Sequence, residues 1–285
     1  MMSNPSNIRN HKPHAALYHG FMIVLSLIMV YPFLWSAFSS FKDIQQLYAD
    51  NPLNILPNPF ILANYQRLFV ILPFGRFTMN SLFLSIFIPL AMIAVASLTA
   101  YALTRLEFRG RNLIFIAFIS TMMVPSHVVL IPNYKSIVDL KLYNTFTALF
   151  LTGMFTASNA FNIFFFRQFF LSIPKDLEHA AIIDGCSRIR VFFNIILPNS
   201  RPAIATTAIL SFRSVWNQFL WPMIVINDYD KMTLTVGLKY LKDWEPNWAV
   251  LLAGATISII PIVIVFLIFQ NQFMASAMNS GFGGK

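Results

Sequence analysis

Apolar residues along this chain gather into six runs, at about 17–38, 77–103, 113–132, 146–170, 203–226 and 248–270, each close to the length that crosses a bilayer as a helix. Polar segments separate them. The longest of those expected on the cytoplasmic side, residues 172–202, reads SIPKDLEHAAIIDGCSRIRVFFNIILPNSRP and has two helix signatures back to back. Pro174 suits an opening position, and Asp176 and Glu178 follow in the first turn, where negative charge complements the helix dipole. Gly185 predicts the end of that helix. Ser187 predicts the cap of a second, in which Ile189, Phe192, Phe193 and Ile196 recur at i, i+3, i+4 and i+7 as one apolar stripe, with Pro198 expected to stop it. The pattern predicts a helix, a glycine turn and an amphipathic helix lying along a membrane surface with the elbow presented outward.

The other segments fix a topology. A polar tail, residues 1–16, carries Arg9 and Lys12, and Arg105, Arg109 and Arg111 crowd into the short hinge RLEFRGRNL after the second run. Under the positive-inside rule the hinge, the elbow and both tails are expected in the cytoplasm, with eleven Lys and Arg inside against eight in the three outer loops. Within residues 39–75, LPNPFILANYQRLF reads as a surface segment rather than a span, and Pro125 interrupts the third run. The expectation is an all-α polytopic membrane protein: a tail at 1–16, a six-helix domain at 17–272 with the cytoplasmic loop 172–202, and a tail at 273–285.

Composition supports this class. The chain is 57% hydrophobic and 11% charged, which no ordinary soluble domain matches. Its net charge of +9 is dispersed through short loops without a basic face, so no nucleic-acid partner is expected. The single cysteine, Cys186, excludes a disulfide framework within the chain, and the first run is too long for the apolar core of a cleavable signal peptide.

The elbow carries a resemblance. Ala180-Ala181, Asp184-Gly185, then Ile195, Leu197 and Pro198 reproduce the spacing of the EAA loop of membrane subunits of bacterial ABC importers. The family's usual glutamate falls on His179, with Glu178 beside it. SLTAYALTRLEFRGR, MMVPSHVVLIPNY and SVWNQFLWPMIVI resemble the maltose-type carbohydrate branch, so that the likeness runs from about residue 17 to the end of the sixth run. It implies a permease subunit in the bacterial inner membrane, importing a sugar or sugar-like polyol. A dimer of ABC ATPases would dock at a coupling helix, contacted through Glu178, His179, Ala180, Ala181, Asp184, Gly185, Ile195, Leu197 and Pro198. The further partners implied are a second homologous permease, an extracytoplasmic solute-binding protein and membrane lipid.

The chain itself offers no energy source. Gly283-Gly284-Lys285 lacks the Ser or Thr and the strand-to-helix context of a phosphate loop, and no HExxH or nucleophile elbow occurs. The chain is therefore expected not to be an enzyme and to hold no cofactor or metal, ATP and Mg belonging to the partner ATPase. Polar residues inside runs are candidates for a solute path, because lipid exposure is costly to them. Arg213 and Asn217 stand four apart in the fifth run, Trp216 and Trp221 flank Asn217, and Asn80 and Ser81 lie near the outer end of the second. Arg213 either lines the path or fixes packing, the tryptophans either stack on sugar rings or anchor at the interface, and Asn80 either lines the path or bonds helix to helix. The histidines show no ligand spacing. A self-contained secondary transporter or channel is the alternative function, although no span contains a carboxylate to bind a coupling ion.

Overall fold

Apolar runs of this length fold as helices because only a helix satisfies its own backbone groups in hydrocarbon. The computed structural model describes residues 12–49, 54–155 and 157–282, and all its regular elements are helical. Residues 1–11 and 283–285 of the predicted tails, including Arg9 and Lys285, lie outside the described residues. In order, the helices are α1 (Lys12–Ser39), α2 (Ile44–Ala49), α3 (Ala63–Ile71), α4 (Phe74–Arg105), α5 (Arg111–Thr121), α6 (Leu130–Asp139), α7 (Phe146–Phe155) and α8 (Ala157–Ser172). There follow α9 (Asp176–Ile183), α10 (Arg188–Val191), α11 (Leu197–Asn199), α12 (Arg201–Trp216), α13 (Leu220–Val225), α14 (Leu234–Trp244) and α15 (Trp248–Phe282).

Three helical stretches among the described residues are long and apolar enough to cross a membrane: Leu17–Ser39, Phe74–Arg105 and Trp248–Asn271. A fourth span is available if α7 and α8, bent by 43°, are counted as one. The third and fifth predicted runs are broken, and proline sterics explain both breaks. A proline ring collides with the carbonyl four residues back and provides no N–H to bond it. For Pro125 that carbonyl belongs to Thr121, where α5 ends and the chain tightens into bonds from Met122, Met123 and Val124 to carbonyls three residues back. For Pro222 it belongs to Gln218, whose carbonyl instead accepts the Thr235 hydroxyl at 2.7 Å. The fifth run is therefore α12, a short break at 217–219, and α13.

The described residues form two compact units: those up to Ile71 together with Lys242–Ile257, and Leu72–Leu241 together with those from Ser258 onward. In the first, the predicted surface segment folds as α3, tied down by Asn64, whose side-chain amide donates to the Ser40 and Lys42 carbonyls at 2.8 Å each. Arg67 pairs with Glu245 at 2.6 Å. In the second unit α4 is the central post, packed against α7, α8 and α12. Its N-terminal end is fastened to the loop before α14: the Asn80 amide donates to the Asp230 and Met232 carbonyls, Arg76 pairs with Asp230, and Ser81 accepts the Leu234 N–H at 2.8 Å. Asn144 accepts the N–H groups of Asn227 and Asp228 with its side-chain oxygen.

Candidate coupling elbow and solute cavity

Two features of the second unit carry chemistry: the elbow at one end of α4, and a cavity beside α4 further along the helix. The elbow folds as the sequence predicts in its first half. Asp176 and Glu178 occupy the first turn of α9, and Gly185 leaves it at φ +84°, a conformation that an L side chain rarely adopts. Ser187 caps the second arm, its hydroxyl oxygen accepting the Arg190 N–H at 3.3 Å.

The second arm departs from expectation. Between α10 and α11 the chain makes a π-turn, Phe192–Ile196, in which the Leu197 N–H reaches back five residues to the Phe192 carbonyl. The extra residue in the turn re-phases the faces. Phe192 and Ile196 are buried with Val191, whereas Ile189 and Phe193 are exposed, so the expected single stripe is divided between two faces. Pro198 does not stop the helix; the preceding π-turn widens the spacing at which its ring meets the backbone, and α11 continues to Asn199.

Of the expected coupling residues, His179, Ala180, Asp184, Gly185 and Pro198 are exposed, as are Leu177, Ile183, Ile189, Arg188 and Arg190 around them. Ala181 is buried, and Ile195 and Leu197 are half-buried. Glu178 points inward: its side chain is 4% exposed and lies 2.8 Å from Arg105 Nε, in an ion pair whose groups are not aligned as a hydrogen bond. Glu178 is thus not available to a partner protein. Arg105, one of the three expected orientation charges, is equally buried, and its Nη2 donates to the carbonyls of Phe170 and Ile173 where α8 ends.

The cavity encloses about 540 Å³ among α4, the segment from Thr121 to Asn133, α7 and the α12–α13 break. Hydroxyls of Thr121, Ser126, Thr152 and Ser214 line it, with the amides of Asn133 and Gln218 and the rings of Phe155, Phe219 and Trp221. His127 is the one titratable side chain among its described lining residues, which include no Asp, Glu, Lys or Arg. The break at Pro222 builds one wall by turning Gln218, Phe219 and Trp221 into the space. Trp221 Nε1 donates to Thr152 Oγ1 at 2.8 Å, and that hydroxyl donates in turn to the Ala148 carbonyl.

Most residues expected along the path lie elsewhere. Arg213 lines a separate apolar recess with Ile209, Phe212, Ile262, Val263, Val265 and Phe266. Asn217 caps the end of α12, exposed and outside the cavity lining, and Asn80 holds the loop before α14. Trp216 is neither an interfacial anchor nor a path residue: it is 2% exposed, stacked on Phe212, and donates Nε1 to the Ser258 carbonyl at 3.0 Å. Among the expected aromatics only Trp221 reaches the cavity. Sequence reasoning missed Asn162 and Asn159, which are buried between α8 and α12 with Asn162 donating to Ser211 Oγ at 3.1 Å. Amides inside an apolar run were the available signal.

Comparison with known proteins adds a third line of observation. The profile of the family described as binding-protein-dependent transport system inner membrane component matches residues 88–276. The arabinooligosaccharides transport system permease protein of Halalkalibacterium halodurans is 34% identical over 264 residues, covering 91% of this chain and 93% of that protein. Among solved structures, a bacterial ABC transporter involved in the import of the acidic polysaccharide alginate superposes with a TM-score of 0.79 at 24% identity, over 95% of this chain and 100% of that one. A bacterial alginate ABC transporter in complex with an alginate pentasaccharide-bound periplasmic protein gives a TM-score of 0.64 at 15% identity, covering 90% and 93%. At these identities the two structures speak for the fold.

Proposed function

The chain belongs to the binding-protein-dependent transport system inner membrane component family, and from that premise we propose that it is the permease subunit through which an ABC importer moves a neutral sugar or sugar-like polyol. The cavity is the observation that carries the choice of solute. Hydroxyl and amide groups match the donors and acceptors of a polyol, the Trp221 and Phe219 rings offer apolar faces to a sugar ring, and a lining without Lys or Arg gives an anion no fixed counter-charge. The alginate importer handles an acidic polymer; Arg213, the one candidate cation in the fifth run, lies outside this cavity.

In this reading six segments pass through the membrane, the broken third and fifth being tolerated where their irregular backbone lines a protein cavity. Both termini and the 172–202 elbow are cytoplasmic. The exposed face around His179, Ile183, Ile189 and Phe193 docks onto one subunit of an ATPase dimer, which binds ATP and Mg and hydrolyses the nucleotide. A second homologous permease completes the path, and an extracytoplasmic binding protein delivers the solute. Closure of the ATPase dimer displaces the elbow and tips the helices between inward-open and outward-open states.

Affinity purification of the tagged chain from its native membrane in mild detergent tests the assembly. Recovery of an ATPase and a second permease, both lost when residues 176–187 are scrambled without loss of insertion, is expected. A chain that purifies alone and moves solute in vesicles without ATP overturns the reading.

A further inference from the structure

We propose that Arg105 and Glu178 are positioning residues for coupling: a buried joint through which displacement of the elbow is passed to α4 and, along that helix, to the wall of the cavity. The inference rests on the reading that the elbow docks an ATPase.

The joint reaches three elements from one side chain. Arg105 Nε lies 2.8 Å from Glu178 in α9, and Nη2 donates to the carbonyls of Phe170 and Ile173 at the end of α8, at 2.5 and 2.7 Å. One turn earlier on α4, Tyr101 donates its hydroxyl to the Arg188 carbonyl at 3.2 Å and packs its ring against Phe192, with centroids 5.1 Å apart. Residues four apart share a helix face. The last turns of α4 therefore hold both arms of the elbow, Arg105 the first and Tyr101 the second.

Stability alone is a poor explanation of such a pair, because replacing a buried ion pair with well-packed apolar groups is often neutral or stabilising. What it supplies is a fixed relation between elements. The guanidinium is a rigid planar fork, so α9 cannot shift relative to α8 or α4 without breaking a charge-assisted contact in a site that water does not reach. Load taken up on the exposed face of the elbow thus enters α4. This helix runs unbroken from Phe74 to Arg105, and Ile88 and Met92 on it line the cavity. Thirteen residues separate Met92 from Arg105, about 20 Å of helix. Glu178 serves this inner role while His179 stands exposed next to it, so neighbouring positions divide two tasks: one holds the elbow to its own subunit and the other faces outward.

The test uses the whole complex in proteoliposomes with its binding protein, and reads solute imported per ATP hydrolysed together with the ATPase retained on the permease. Glu178→Gln keeps the shape and removes the charge; it is expected to retain the ATPase and its hydrolysis but to import about tenfold less solute per ATP. Tyr101→Phe, which deletes one hydroxyl, is expected to lower the same ratio about two- to threefold, and Arg105→Lys, which keeps the charge but not the fork, to fall between. An unchanged ratio in assembled Glu178→Gln complexes overturns the proposal, as does uptake that falls only in step with the amount of ATPase retained. If Glu178→Gln does not assemble, Tyr101→Phe and Arg105→Lys decide, and unchanged ratios in both overturn it. Wild-type complexes without ATP-driven uptake would instead sink the docking reading beneath it.

Discussion

The Trp221 indole and the Thr152 hydroxyl meet at 2.8 Å across the cavity wall, joining α13 to α7. This bond sets the plane of the ring that the solute would meet. Trp221→Ala removes both stacking face and bond and is expected to lower uptake at limiting solute by about tenfold, whereas Trp221→Phe keeps a ring and should cost about threefold, the worth of one hydrogen bond. Initial uptake rates at normalised complex levels check it, and equal effects of the two variants would mean that the ring is not used.

Arg213→Ala should leave solute selectivity intact, because the residue lines the apolar recess against Ile262 and Phe266 rather than the polar cavity. By contrast, Gln218→Glu places a carboxylate at the cavity and should suppress any anionic solute strongly while neutral sugars continue to pass. Uptake of paired neutral and acidic oligosaccharides by the two variants distinguishes the positions. A shift in selectivity from Arg213→Ala alone would move the path to the other side of α12.

Gly185→Val forces a β-branched residue to φ +84°, at a cost of about 1–2 kcal/mol. Nothing lies within 4 Å of a Cβ placed there, so backbone strain is the sole penalty. The elbow is expected to change angle while the helices still insert, giving ATP hydrolysis without matching uptake. Tight coupling in an assembled Gly185→Val complex would show that the turn angle is not transmitted.

Thr235→Val leaves the Gln218 carbonyl without the hydroxyl that satisfies it, and should destabilise the α12–α13 break by about 0.5–1.5 kcal/mol, since water can reach this exposed carbonyl. Thermal unfolding of the detergent-purified chain reads this directly. Pro222→Ala restores an N–H that can bond the same carbonyl, and is expected to recover stability in the double variant while reducing uptake as the break straightens.

The loop before α14 carries a pH prediction. Asp228 is held below the usual carboxylate range, first by the Lys231 ammonium at 3.0 Å and then by the Asp230 N–H. A lowered folded-state value contributes stability above the unfolded value and loses it as pH falls through the folded one. The loop should therefore hold its structure throughout pH 5–8, about the working range, with the protection of the Asp230 amide from exchange, relative to its intrinsic rate, falling only in stronger acid. Earlier loosening would point to another titrating group.

By itself the sequence determined the class of the protein and the local form of the elbow's first arm and turn. Six apolar runs, the Gly185 turn, the Ser187 cap and the spacing from Ala180 to Pro198 are short-range properties, fixed by backbone sterics, capping and the expense of polar groups in lipid. Even the two broken runs had their cause in view, at Pro125 and Pro222, since proline acts on a carbonyl only four residues away. Tertiary structure decided which polar residues face which neighbour. Arg213, Asn217 and Trp216 sit within four positions of one another, yet one enters an apolar recess, one caps a helix and one packs in the core, because a rotation of 100° per residue carries neighbours to different surroundings. The pairing of Arg105 with Glu178 is of the same kind. They stand seventy-three positions apart, and no periodicity in the chain records that α4 ends beside the first turn of α9; only packing brings the two charges together where water cannot screen them.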